Sequence, residues 1–115
     1  MNNGERVVLS LAQWIAFTEA AAASTDQRLD VENDPTAALA LRSGLSGLRR
    51  QLEMLRMTDQ ELAAARAQAD PTAEGTDLQR IDAISAEVYR RSKLTGHERI
   101  AEAVGRRRMR EASPS

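Results

Sequence analysis

The chain contains no cysteine, which excludes disulfides, thiolate metal sites and a cysteine nucleophile. Its one histidine is His97, and "HERIA" lacks the second histidine of a zinc-protease helix. A solvent-facing place in the first turn of a helix is expected for it. Aromatic side chains are limited to Trp14, Phe17 and Tyr89 in 115 residues, whereas alanine occurs twenty times. A core of Leu and Ala is thin, which points to burial shared with a second subunit or a partner. No stretch approaches the roughly 18 apolar residues of a membrane span. The run "VVLSLAQWIAF" contains Ser10 and Gln13 and follows a single basic residue, Arg6, beside Glu5. That is a poor match to an export signal, and a cytoplasmic location is expected.

Motifs of catalysis are also missing. No G-x-x-x-x-G-K phosphate loop or dinucleotide fingerprint occurs. "GLSG" at residues 44–47 lacks the G-x-S-x-G spacing of a nucleophile elbow. Glu98 and Glu102 lie one helical turn apart but have only His97 as a possible third ligand, and they are read as exposed charge. The expectation is a protein that is not an enzyme and takes no cofactor or metal.

Charge is present in both signs and unevenly placed. Residues 1–77 hold seven arginines against twelve acidic side chains, whereas residues 78–115 hold nine basic against five acidic. The chain as a whole carries −1, so an acidic body and a basic end are expected.

Helix signals fill most of the sequence. Ser10 and Gln13 form a capping box for a first helix from about Leu11 to Ala23, with Leu11, Trp14, Ile15 and Phe17 as its apolar face. The polar segment "STDQRLDVEND" is read as a loop. Asp34-Pro35 opens a second helix, in which Leu41, Leu45, Leu48, Leu52 and Leu55 recur at spacings of 4, 3, 4 and 3. This pattern makes a seam like that of a coiled coil or helical hairpin.

Gly44 and Gly47 lie beside that seam with Ala40, at a propensity cost of about 1 kcal/mol per glycine. Either the bare flank admits another helix at short range, or the helix breaks around Ser43–Gly47. Arg42, Arg49 and Arg56 form a stripe on the opposite flank, solvated or paired with a facing helix.

Thr58 with Glu61 starts a third helix at Asp59 that stops near Asp70-Pro71, and residues 70–76 are a possible linker. Thr76 with Gln79 is a further capping box, opening a fourth helix faced by Leu78, Ile81, Ile84 and Val88. Thr95 to Glu98 starts a fifth, which carries Ile100 and Val104 and is expected to end at Gly105. The fold class is therefore all-α, a helical hairpin or small bundle of four to five helices in one domain over residues 1–110. A short N-terminal extended arm is possible, and residues 111–115 are expected to form a disordered tail.

The segment "RVVLSLAQWIAFTEA" resembles the strand-then-helix opening of bacterial ribbon-helix-helix regulators and antitoxins over about fifteen residues. The resemblance implies a dimer that places Arg6, Val8 and Ser10 in the major groove of DNA. This chain departs from the family after the first helix, where a ten-residue polar segment stands in place of a short turn.

Two functions follow. The first is a protein–protein interaction module, a homodimer, adaptor or inhibitor, acting through Leu41, Gly44, Leu45, Gly47, Leu48, Leu52 and Leu55. The same seam could instead be internal core. The second is a DNA-binding regulator or antitoxin that uses the N-terminal arm or a basic C-terminal patch. That patch, Arg90, Arg91, Lys93, Arg106, Arg107, Arg108 and Arg110, would contact phosphates or an acidic partner.

Overall fold

A computed structural model of the chain describes residues 9–112. They form five helices: α1 (Leu11–Val31), α2 (Pro35–Arg56), α3 (Asp59–Ala67), α4 (Thr76–Ser92) and α5 (Gly96–Ala112). No strand occurs among the described residues, and none of their helices is long and apolar enough to cross a membrane. The all-α bundle inferred from periodicity is the fold observed. The extended arm and the groove-reading roles of Arg6 and Val8 lie outside the described residues, as does most of the proposed tail.

Local chemistry sets the helix starts. At α1 the Ser10 hydroxyl accepts from the Gln13 N–H (3.1 Å), and Gln13 Oε1 accepts from the Ser10 N–H (2.8 Å). That leaves Ser10 as a helix cap here. Thr58 and Glu61 repeat the reciprocal box at α3, and Thr95 and Glu98 repeat it at α5. Asp34 caps α2 by accepting from the Thr36 N–H, with Pro35 in the first turn.

The fourth start differs from expectation. The Thr76–Gln79 box does not form, because Gly75, at φ 63° and ψ −130°, is the cap and Thr76 is already helical. Residues 70–76 do include a turn, in which Asp70 Oδ1 takes both the N–H and the hydroxyl of Thr72.

Two helix ends also differ from expectation, and the choice left open in α2 falls to the continuous helix. Helix α1 runs on to Val31, eight residues beyond Ala23, through the segment read as a loop. The polar composition hid a continuous inner face, on which Ala22, Thr25 and Leu29 extend the line of Leu11, Ile15 and Thr18. The hydroxyls on that face are satisfied locally, Thr18 by the Trp14 carbonyl (2.7 Å) and Thr25 by that of Ala21 (2.8 Å). Helix α5 passes through Gly105 and reaches Ala112, so the "RRRMR" run is helical rather than a departing tail. Helix α2 is unbroken across Ser43–Gly47.

Helices α1 and α2 form an antiparallel hairpin, with α4 packed on α2, α3 on α4, and α5 touching α1. One buried cluster is Leu11, Ile15 and Leu55, extended by Trp14 and Leu52. A second is Met54, Leu62 and Ile84, extended by Met57, Ala65, Ala83 and Val88. The leucine seam therefore supplies the chain's own core, with Leu45 and Leu55 buried and Leu41, Leu48 and Leu52 half-buried. The Cα radius of gyration is 16.4 Å, against about 13 Å for a close-packed chain of this length. The bundle is open, and that openness leaves a groove.

Candidate partner groove and the buried charge cluster beneath it

Helix α2 ends against two arginines from distant sequence. The last carbonyls of a helix lack intrahelical donors and carry partial negative charge. Arg91 Nη2 on α4 donates to the carbonyls of Met54 and Met57, each at 2.8 Å, and Arg106 Nε on α5 donates to that of Leu55 at 2.7 Å. The planar, multiply donating guanidinium suits this role, since one group can satisfy carbonyls and a carboxylate at once.

Carboxylates complete the cluster. Arg91 Nε reaches Glu87 Oε2 (2.6 Å), and its Nη1 reaches Asp59 Oδ1 (2.8 Å). Arg106 Nη2 reaches Glu102 Oε1 (3.1 Å). Arg90 lies between the two glutamates, giving two hydrogen bonds to Glu87 (2.9 Å each) and two to Glu102 (2.9 and 2.7 Å). Its guanidinium also sits 5.9 Å from the Trp14 ring centroid.

Glu87, Arg91, Glu102 and Arg106 are each at most 7% exposed. No buried side-chain nitrogen or oxygen among the described residues lacks a partner. Three arginines and three carboxylates, counting Asp59, make the cluster neutral.

The electrostatics follow from this pairing. Burial pushes the Glu102 carboxyl up, but hydrogen bonds and charge from Arg90, with Arg106, more than reverse it and hold it below the ordinary carboxylate range. For Arg90 burial acts to release the proton, and the two glutamates overcome it, so its pKa is raised. Arg106 moves down, from burial first and then from the charge of Arg91.

These positions revise the basic patch. Arg91 and Arg106 are buried and Arg90 is half-buried, all occupied within the fold, so they cannot serve as phosphate contacts in this structure. Glu102 is likewise not an exposed charge. Of the remaining cations, Arg110 pairs with Glu61 on α3, and exposed Arg107 pairs with Glu111 at 3.4 Å. Lys93 lies over the Tyr89 ring, 4.9 Å from its centroid, and Arg108 is exposed. The patch is thus divided between the interior and the surface. His97 is exposed, as its place in a first helical turn suggested.

The glycine flank is open as well. A Cβ added at Gly44 or Gly47 would meet nothing within 4 Å, so no helix among the described residues makes the close approach expected there. Arg42, Arg49 and Arg56 are exposed, and Arg56 bridges to Glu19 on α1 at 3.1 Å.

What sequence reasoning missed is the space between α3 and α5. These two helices and α4 border a groove of about 690 Å³. Its apolar lining is Leu62, Ala63 and Ala67 from α3, Val88 from α4, and Leu94 from the turn before α5. Arg91, Glu102 and Arg106 of the neutral cluster line its buried side, and the Arg110–Glu61 pair ties α3 to α5. Arg66 on α3 and Arg99 on α5 also line it, and both are exposed. The sequence signal was faint: the small face Ala63, Ala67 beside Leu62 on a helix of only nine residues.

No protein-family model, curated protein or solved structure matches this chain.

Proposed function

We propose that the chain is a non-enzymatic helical interaction module that receives a helix of a partner protein in the groove between α3, α4 and α5. The supporting observation is the groove itself, open to solvent, apolar in its walls and backed by a charge cluster with no unsatisfied group. A volume of about 690 Å³ is that of a binding cleft rather than a packing defect. Alanines at 63 and 67 leave room for larger side chains from an incoming helix, the arrangement used when an amphipathic helix lies in a hydrophobic groove. This moves the interaction surface away from the leucine seam, which the fold uses internally.

The test is selection from a displayed library of helical peptides on the immobilised protein, with Ala63→Trp as the blocked control. Ala63 is exposed, so tryptophan there fills the groove without entering the core, and far-UV circular dichroism checks the fold. Enrichment of peptides that lose binding to Ala63→Trp is expected. No enrichment, or binding indifferent to Ala63→Trp, overturns the proposal. The regulator alternative has its own measurement: duplex DNA binding that weakens steeply with salt and is lost on Arg107→Ala with Arg108→Ala would favour it.

A further inference from the structure

We infer that the groove's partner is an acidic amphipathic helix, whose carboxylates meet Arg66 and Arg99 while its apolar face covers Leu62, Val88 and Leu94. This rests on the groove being the interaction site, and it adds the chemistry of the partner.

The charge count carries it. The cluster of Arg90, Arg91, Arg106, Glu87, Glu102 and Asp59 balances internally. What remains on the groove lining is therefore Arg66 and Arg99, and the lining as a whole carries four arginines against two carboxylates. That is +2 on a chain whose total is −1. Among the described residues neither arginine has a carboxylate within ion-pair distance. Arg99 makes only a 3.5 Å contact to the Ser92 carbonyl, and Arg66 makes none.

Every other arginine around the groove is paired, so these two are left to meet negative charge from outside. They project from opposite walls, Arg66 from α3 and Arg99 from α5. A ligand that answers both while covering apolar wall needs acidic groups flanking an apolar stripe. An amphipathic helix provides that at i, i+3 and i+4 spacing. Length agrees: α3 has nine residues, about 13 Å at 1.5 Å per residue, which matches two to three turns of a bound helix. A basic helix would bring like charge onto the rim, which disfavours it.

Three stapled helical peptides sharing one leucine face, with Glu, Gln or Lys at the flanking positions, separate the possibilities by fluorescence anisotropy. The Glu peptide is expected to bind about three- to tenfold more tightly than the Gln peptide at low salt, the range for two exposed ion pairs. The Lys peptide is expected to bind weakest. Arg66→Gln with Arg99→Gln should remove the Glu preference without altering Gln-peptide affinity, and both residues are exposed, so the fold is retained.

Equal binding of Glu and Gln peptides overturns the acidic partner and leaves the groove intact as a site. Failure of all three, together with no enrichment from the library, overturns the groove itself. Concentration-dependent self-association abolished by Ala63→Trp assigns the groove to a second copy and refutes the inference. So does saturable binding of dodecanoate with no peptide binding.

Discussion

Arg106 and Arg107 are neighbours in a basic run, yet their environments make opposite predictions for loss of charge. The Arg106 side chain is 3% exposed, and the Arg107 side chain is 82% exposed. Arg106→Met keeps an unbranched apolar stem but removes the 2.7 Å bond to the Leu55 carbonyl at the end of α2. The nearest other donor to that carbonyl is Arg91 Nη2 at 3.5 Å, too long to replace it. The substitution also removes one of the two arginines paired with Glu102, the one at 3.1 Å, and leaves the cluster one positive charge short.

Breaking a buried, hydrogen-bonded ion pair from one side costs about 3–5 kcal/mol, and an orphaned carbonyl alone costs about 1–3 kcal/mol. Arg106→Met should therefore destabilise the fold by about 3–5 kcal/mol. With an unfolding entropy of about 2.1 cal/mol/K per residue, that is a fall in Tm of roughly 12–20 °C for this length. Arg107→Met should change stability by less than about 0.5 kcal/mol. Urea unfolding followed by circular dichroism measures both. The reasoning fails if Arg106→Met lies within about 1 kcal/mol of the parent chain, or if Arg107→Met costs as much as its neighbour.

Gly44→Ala and Gly47→Ala should each stabilise the protein by about 0.5–1 kcal/mol, since both sit inside α2 with nothing for a methyl group to meet. Thermal unfolding reads this, and destabilisation at either position would reveal a neighbour on that flank. Gly75→Ala should do the reverse, by about 1–3 kcal/mol, because its backbone lies in a region that side chains rarely adopt. An unchanged Tm would refute that. Glu102 sets an acid limit: a carboxyl held below its usual 4.5 stabilises the fold above that pH, and the contribution is lost as pH falls through the folded value. Stability measured by urea should therefore decline as pH drops below about 4.5. Glu102→Gln should flatten the decline without abolishing it, because Glu61, held low by the Thr58 N–H and then by Arg110, titrates there too. An identical slope in the variant would contradict this account.

The sequence by itself determined the helices and most of their beginnings. A capping box spans only four residues, so Ser10–Gln13, Thr58–Glu61 and Thr95–Glu98 specify their helices whatever packs nearby. The seam from Leu41 to Leu55 likewise shows a helix with one buried face. It does not say whether that face meets the same chain or another, and the far end of α1 was hidden because Thr25 and Ala22 look polar or neutral until a helix lies against them.

Tertiary structure decided the meaning of the charges. Arg106 meets Leu55 across 51 positions and Arg91 meets Met54 across 37, separations at which composition carries no signal. An Arg-rich run reads the same whether its guanidiniums face water or cap a buried helix end. Only the approach of α4 and α5 to the end of α2 removed Arg91 and Arg106 from solvent, and only the gap left between α3 and α5 set Arg66 and Arg99 along one groove.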